Sequence, residues 1–134
     1  MTKRKPRKVV FCGSRSFPID VELGGEVVDL MRTYPPDTIF LVRGSHGFDQ
    51  FVQRVADIIG YECEKFDSRG GGDNFRRDAD MVREADEVVV FLDPNSLSDS
   101  NTGTAHIIEK SLDQHKPTRA YTAAHHRLVF AGET

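Results

Sequence analysis

The strongest constraint on the fold is an uninterrupted apolar run, Val9-Val10-Phe11-Cys12, which leads directly into Gly13-Ser14-Arg15. A short apolar run bounded by a glycine is typical of a strand that is buried on both faces. Such strands lie in the middle of parallel sheets, and the loops at their carboxyl ends usually carry the ligand site. The sequence therefore predicts a central strand at residues 9–12, followed by one wall of an anion pocket.

Apolar runs of this kind alternate along the chain with stretches of helical periodicity. Strands are predicted at residues 9–12, 38–42, 61–66, 87–92 and 117–122, and helices at 20–33, 49–60, 75–85 and 103–115. Asp20 and Asp49 are predicted to cap the first two helices, and Gly60 to end the second. Because this alternation is typical of right-handed parallel crossovers, we expect an α/β fold, a three-layer Rossmann-like sandwich with a central parallel sheet of about five strands.

Charge is distributed unevenly along the chain. Residues 1–8 hold five of the 18 Lys and Arg residues and no acidic residue, whereas residues 9–134 carry 13 basic against 21 acidic residues, a formal charge of −8. Affinity for the phosphate backbone comes from accumulated Lys and Arg, so this body argues against nucleic acid as a partner. We expect a basic disordered tail at 1–8, a single Rossmann-like domain at 9–122 and an unassigned C-terminal extension at 123–134.

The cysteines and the hydropathy pattern indicate the cellular compartment. Cys12 and Cys63 both lie in strand-like apolar runs, which favours free buried thiols in a reducing cytosol over a disulfide framework. No apolar run approaches the roughly 20 residues that cross a bilayer, and the basic amino end leads into too few apolar residues for a signal peptide. We expect a cytoplasmic protein with no membrane contact, and the histidines show no spacing that predicts a metal.

Small and polar residues follow several of the predicted strands. Gly13-Ser14-Arg15, the segment from Gly44 to Gly47, a triple glycine at 70–72 and the segment from Asn101 to Thr104 all lie at predicted carboxyl ends. Glycines let a ligand approach the backbone, and the amides of a helix start, predicted here at Gly103-Thr104, attract anions. If the strand order is 3-2-1-4-5, the first and last of these loops share one crevice at the switch point of the sheet.

Ordinary strand-to-helix turns have the same composition, since Gly and Ser are common in turns, so one such loop alone indicates no site. Four of them, with Arg15 and Arg77 able to clamp a phosphate, favour a phosphate-bearing ligand. The dinucleotide, P-loop and nucleophile-elbow motifs are absent. His46 and Phe17 border the pocket loops. The candidate ligand-binding residues are Gly13, Ser14, Arg15, Phe17, Gly44, Ser45, His46, Gly47, Asp49, Arg77, Asn101, Thr102, Gly103 and Thr104.

Four segments taken in order, FCGSRSF, RGSHGFD, RRDADM and NTGTAH, resemble the small Rossmann-like proteins of the SLOG superfamily. That superfamily joins the Smf/DprA proteins to the LOG nucleotide hydrolases, and the nearest branch is its short YspA-like members. The resemblance spans residues 9 to 121. It implies a nucleotide or nucleotide-derived ligand at the carboxyl edge of the sheet, on residues Gly13, Ser14, Arg15, Gly44, Gly47, Asp49, Arg77, Gly103 and Thr104.

Two positions depart from the family pattern. The arginine-asparagine pair that is usual in the third helix appears here as Arg77-Asp78, which places a carboxylate where an amide is expected. The LOG hydrolases carry a glutamate three residues after the threonine of their Gly-Thr motif, and that position is Ile107 here. Cleavage of an N-glycosidic bond needs a carboxylate near the reacting carbon, so this replacement argues against LOG-type hydrolysis.

Three functions remain open on the sequence. The first is a binding protein that senses, carries or sequesters a nucleotide-like small molecule without a cofactor. The second is a nucleotide N-glycosidase or phosphoribohydrolase that uses another carboxylate, such as Asp49, Asp93 or Asp99. The third is single-stranded DNA binding through the basic tail. Because related proteins form dimers or tetramers, we also expect a homo-oligomer, for which Val52, Val55 and Ile59 are candidate contacts.

Overall fold

The computed structural model describes residues 5–14, 21–44, 47–67, 73–92, 99–122 and 127–132. Strands and helices alternate as the sequence predicts. The elements are β1 (Lys8–Gly13), α1 (Val21–Met31), β2 (Ile39–Arg43), α2 (Phe48–Ile59), β3 (Glu62–Phe66), α3 (Asp73–Glu84), β4 (Glu87–Leu92), α4 (Asp99–Asp113), β5 (Thr118–Thr122) and β6 (Arg127–Gly132).

The strands form one sheet in the order β3-β2-β1-β4-β5-β6. The first five strands in this order are parallel, so the predicted α/β fold and the predicted order 3-2-1-4-5 are confirmed. β6 was not predicted, and it pairs antiparallel with β5. The connection from β5 to β6 is too short for a helical crossover, and a short connection allows only antiparallel pairing. The 6 residues of β6 thus extend the sheet from within the C-terminal extension.

Helices cover both faces of the sheet and bury side chains that alternate along each strand. On β1, Val9 and Phe11 point to the face covered by α1 and α2, whereas Val10 and Cys12 point to the face covered by α3 and α4. All four side chains are fully buried. β1 therefore has the central, doubly covered position that its apolar run predicts.

The starts of α2 and α4 differ from the positions that the sequence predicts. α2 begins at Phe48 with Gly47 as its N-cap, so Asp49 is the second helical residue and not the cap. Gly60 ends α2 in the left-handed conformation, with φ of 91°, as predicted. The predicted cap Asp20 lies outside the described residues.

α4 begins at Asp99, four residues before the predicted start, so Gly103 and Thr104 lie in its second turn. The prediction failed because a glycine costs only about 1 kcal/mol inside a helix, which tertiary packing readily offsets. An acidic residue at the first position also suits the positive end of the helix dipole.

The proposed oligomer contacts on α2 belong to the core. Val52 and Val55 are buried in the cluster between α2 and the sheet, and Ile59 packs against the same cluster. The exposed apolar residue of α2 is its neighbour Ile58, whose side chain points to solvent. This face of α2 is therefore used within the chain.

Candidate functional site

The carboxyl ends of β1 and β4 lie side by side. Gly13 pairs with Phe91, and the backbone N–H of Ser14 donates to the carbonyl oxygen of Phe91 at 2.9 Å. The chain leaves β1 toward α1 on one face of the sheet and leaves β4 toward α4 on the other. This pair of strands is therefore the switch point, where open α/β sheets bind their ligands.

Thr104 lies on the face of α4 that packs against this pair of strands. One helical turn further along α4, Ile107 is fully buried in the cluster that contains Val10, Cys12 and Val90. Because α4 runs back along the strands from their carboxyl ends, Thr104 lies one turn nearer to that edge than Ile107. The residue is fully buried, and among the residues that the structure describes its Oγ1 hydroxyl has no hydrogen-bond partner.

A buried hydroxyl without a partner costs about 1–3 kcal/mol, so its presence at this position needs a physical reason. Ser14, directly after β1, is also fully buried. One buried hydroxyl-bearing residue thus follows β1, and another lies on the face of α4 that packs against the strands. Hydroxyls at this position are suited to bind a polar group such as a phosphoryl oxygen.

A buried ion pair joins the ends of β1 and β2 to the start of α2. Asp49 Oδ2 accepts hydrogen bonds from the backbone N–H of Arg43 at 2.9 Å and from Arg43 Nε at 3.0 Å. Asp49 Oδ1 accepts from Arg43 Nη2 at 3.0 Å and from the backbone N–H of Gly13 at 3.1 Å. Arg43 Nη2 also donates to the carbonyl oxygen of Gly13 at 2.6 Å.

These four donors match the four lone-pair positions of a carboxylate. Asp49 is only 1% exposed and Arg43 only 6%. The geometry therefore makes Asp49 a positioning residue that holds the end of β1, whereas the sequence suggested a ligand contact or a catalytic carboxylate. Arg43 was missed by the sequence reasoning, although an arginine at the end of a buried strand, six residues before an aspartate, is a detectable signal.

Gly13 lies where a side chain has no room, whereas at Gly44 an added side chain would displace the exposed side chain of Asp67. A Cβ atom on Gly13 would come within 2.5 Å of the Phe48 ring, and one on Gly44 would overlap the Asp67 carboxylate. Phe48 in turn packs against Phe91, with ring centroids 4.6 Å apart. Glycine at position 13 is therefore explained by packing at the first turn of α2, which seats α2 tightly against the carboxyl end of β1.

A second buried carboxylate, Asp78, joins α3 to α4. Arg77 donates to Asp78 Oδ1 from Nε at 3.1 Å and from Nη2 at 3.0 Å. His106 Nδ1 lies 3.2 Å from Asp78 Oδ2, and because a carboxylate only accepts, we assign the Nδ1 proton to His106. The side chains of Arg77 and His106 are 12% and 13% exposed. At Asp78 the SLOG resemblance implies an amide. Here the carboxylate pairs with Arg77 and His106.

Burial raises the pKa of the Cys12 thiol well above its usual value, and the negative charges of Asp49 and Asp78 raise it further. The positive charge of Arg43 opposes this effect. A thiol with a raised pKa stays protonated at neutral pH, so Cys12 is not an activated nucleophile. Asp49 lies at the end of β1, where it accepts a hydrogen bond from the backbone N–H of Gly13.

The structure brings together part of the predicted set. Gly13, Ser14 and Thr104 lie at the switch point, with Gly47 and Asp49 at the adjoining start of α2. Gly44 is exposed at the end of β2, and Arg77 pairs with Asp78 on α3. Arg15, Phe17, Ser45 and His46 lie outside the described residues. Asn101, Thr102 and Gly103 occupy the first two turns of α4, of which the backbone is described.

Three further structural findings bear on function. Ile107, at the position of the glutamate that the LOG resemblance implies, is a fully buried core residue. No described helix combines the length and the apolar character that a bilayer crossing requires. Within the described ranges, no group of three or more His, Cys, Asp or Glu side chains is placed to hold a metal ion.

Comparison of the chain with protein-family models, with curated proteins and with solved structures yields no match. Evidence on function therefore comes from the carboxyl edge of the sheet itself. This edge contains a strand covered on both faces, two buried hydroxyl-bearing residues and two buried carboxylates that hydrogen-bond to neighbouring elements.

Proposed function

We propose that this protein binds a nucleotide or nucleotide-derived small molecule in the crevice between the carboxyl ends of β1 and β4. The observation that supports the proposal is the fully buried hydroxyl of Thr104 on the sheet-facing side of α4, for which the described residues provide no hydrogen-bond partner. A phosphoryl oxygen is the acceptor that this hydroxyl lacks in the protein.

The position of α4 supports the same ligand class. α4 is 15 residues long and begins at Asp99, seven residues after the end of β4. Its first four backbone N–H groups have no partner within the helix, and the dipole places partial positive charge at this end. Helix starts at the carboxyl edge of a parallel sheet are a common phosphate site. The resemblance to the SLOG superfamily independently points to a nucleotide-like ligand.

We further propose that the protein acts as a sensor, carrier or sequestering protein in the cytoplasm, as a homo-oligomer. Ile107 supports binding without turnover because a core isoleucine stands where the LOG resemblance implies a glutamate. Asp49 is engaged by four donors of the protein itself, so it is poorly placed to serve as an alternative catalytic carboxylate.

The proposal is tested by calorimetric titration of the full chain with the four nucleoside monophosphates and with the matching nucleosides. We expect binding that requires the phosphate. Arg15→Ala should weaken it by about 1.5–3 kcal/mol, the range for a charge-assisted hydrogen bond. Arg54→Ala, which changes an exposed arginine on α2, is the matched control and should have no effect.

Two outcomes would contradict the proposal. Equal affinity for nucleosides and their monophosphates would show that the protein makes no contact with the phosphoryl group. Release of free base during incubation, detected by liquid chromatography, would replace the binding protein by a nucleotide hydrolase.

A further inference from the structure

β1 is paired over unequal lengths with its two neighbours. Its pairing with β4 continues to the last residue of the strand, where Gly13 lies opposite Phe91. Its pairing with β2 ends three residues earlier, at Val10 and Leu41. Because buried backbone N–H and C=O groups need partners, the backbone of Gly13 requires hydrogen bonds from another source on the side of β2.

Two side chains supply these hydrogen bonds. The N–H of Gly13 donates to Asp49 Oδ1 at 3.1 Å, and its carbonyl oxygen accepts from Arg43 Nη2 at 2.6 Å. A neighbouring parallel strand supplies the same two groups, one acceptor and one donor, from its backbone. Asp49 Oδ2 also accepts from the backbone N–H of Arg43 at 2.9 Å, which ties the carboxylate to the end of β2. The Arg43–Asp49 pair therefore continues the contact between β1 and β2 beyond the point where their backbones pair.

The use of two buried charges for this contact needs a physical reason. Removing an ion pair from water is costly, whereas uncharged backbone groups of β2 would satisfy Gly13 without that cost. A side-chain link is longer than a backbone hydrogen bond, so it holds Gly13 while the ends of β1 and β2 separate. Arg43 binds Asp49 through both Nε and Nη2, and this planar fork fixes the geometry of the link.

Two other elements hold Gly13 from the remaining sides. On the side of β4, the N–H of Ser14 donates to the carbonyl oxygen of Phe91 at 2.9 Å. On the side of α2, the Phe48 ring leaves no room for a Cβ atom on Gly13. A glycine has more backbone freedom than any other residue, and here that freedom is removed by contacts with three elements.

We propose that Arg43 is a positioning residue for the phosphoryl ligand: together with Asp49 it takes the place of β2 as the partner of Gly13, and so holds the end of β1 in its ligand-binding position. The inference rests on the proposed function, because it assumes that the anion is bound beside the end of β1. Arg43 is only 6% exposed and is neutralised by Asp49, so it acts through Gly13 and not by touching the ligand.

Two physical effects connect this contact to the affinity for an anion. A carbonyl oxygen carries partial negative charge, so a Gly13 carbonyl without its donor would oppose an anion at this edge. A segment that is already fixed also loses less conformational freedom when the ligand binds. Loss of the Arg43 fork should therefore weaken anion binding even where the fold remains stable.

Two substitutions of Arg43 separate positioning from stability. Arg43→Lys keeps a positive charge beside Asp49, but its single nitrogen cannot bind both carboxylate oxygens and the Gly13 carbonyl in the geometry of the fork. Arg43→Met removes the charge and the donors together. Arg83→Lys is the matched control, since it changes an exposed arginine that pairs with Asp80 near the end of α3.

Three measurements are made on the full chain. Inorganic phosphate is titrated by calorimetry at mildly alkaline pH, where it is a dianion, and urea unfolding gives the stability. Hydrogen exchange in the phosphate-free protein follows the amides of Gly13 and Ser14, with Val89 in the middle of β4 as the internal reference. We expect both Arg43 variants to bind phosphate roughly tenfold more weakly, which is the effect of one hydrogen bond to a charged group. Exchange at Gly13 and Ser14 should be faster in both, whereas Arg43→Lys should keep much more stability than Arg43→Met.

The outcomes separate this inference from the proposed function. Parent-like phosphate affinity in Arg43→Lys would overturn the role of Arg43 and leave the anion crevice standing. Weaker binding with unchanged exchange at Gly13 and Ser14 would also overturn it, because Arg43 would then act by another route than Gly13. A loss of affinity in Arg83→Lys as large as in Arg43→Lys would do the same. No phosphate binding by the parent chain would overturn both proposals.

Discussion

Within the described part of the chain, two threonines bury a hydroxyl for which no hydrogen-bond partner is found. Thr104 lies at the switch point between β1 and β4, whereas Thr38 precedes β2 at the opposite edge of the sheet. Valine replaces the hydroxyl of threonine by a methyl group of nearly the same size. Thr104→Val and Thr38→Val are therefore matched changes, one inside the proposed site and one far from it.

Both substitutions should stabilise the fold. An unsatisfied buried hydroxyl costs about 1–3 kcal/mol, and an added methyl group gains transfer free energy on burial. We expect each variant to raise the free energy of unfolding by about 1–2 kcal/mol. For a domain of this size that corresponds to an increase in Tm of about 3–6 °C. Urea unfolding with an unchanged m-value and calorimetric scans of the ligand-free protein both measure this effect.

Ligand binding should separate the two variants. Thr104→Val removes a donor to the phosphoryl group and should weaken binding of the preferred nucleoside monophosphate by about 1.5–3 kcal/mol, the range for a hydrogen bond to a charged group. Thr38→Val should leave the affinity unchanged. A destabilised Thr104→Val variant would show that the hydroxyl has a partner inside the protein. Unchanged affinity in that variant would remove Thr104 from the site, and with it the observation on which the proposed function depends.

Two further predictions concern the charged and phenolic groups. Asp49→Asn leaves the buried guanidinium of Arg43 without its counter-charge, so the free energy of unfolding should fall by about 3–5 kcal/mol, a large share of the total for a small domain. Urea unfolding measures this loss. Asp57→Asn, which changes an exposed aspartate on α2, is the control and should leave the free energy of unfolding almost unchanged. Burial raises the pKa of Tyr34 to about 12, so the unfolded chain loses this proton first, near pH 10. Stability should therefore fall by roughly 1–2 kcal/mol as the pH rises from 10 to 12, and Tyr34→Phe should flatten that fall in pH-dependent unfolding.

Local patterns in the sequence were sufficient to predict most of the fold. The run at residues 87–92 coincides with β4, and β1, β2, β3 and β5 begin or end within one residue of the predicted strands. β1, β2 and β4 are largely apolar and buried, so their limits are visible as abrupt changes of polarity. β3 and β5 are mixed in polarity. β6 was not predicted although Leu128-Val129-Phe130 is also apolar. The prediction relied on the alternation of strands and helices, whereas β6 follows β5 directly in sequence and pairs with it antiparallel.

The polar part of the site was harder to predict, because it depends on contacts between distant residues. The sequence predicted Asp49 as a ligand-binding residue, but its carboxylate accepts hydrogen bonds from the backbone N–H groups of Arg43 and Gly13. Sequence alone does not show that these three residues meet. His106 and Asp78 are 28 residues apart and meet only because α3 and α4 are neighbours. The start of α4 was also predicted wrongly. The glycine at position 103 suggested that the helix starts there, but the helix begins at Asp99.

The two buried carboxylates share a feature that stability alone does not explain. Replacing a buried ion pair by apolar side chains of similar volume is often neutral or stabilising by about 1–4 kcal/mol. Asp49 nevertheless fixes the end of β1 against β2 and α2, and Asp78 fixes α3 against α4, the helix that carries Thr104. Both carboxylates thus act on the elements that meet at the switch point. A site that binds a ligand needs its surrounding groups held within about 0.5 Å by such supporting contacts, so these two carboxylates are suited to support the site that we propose at this edge.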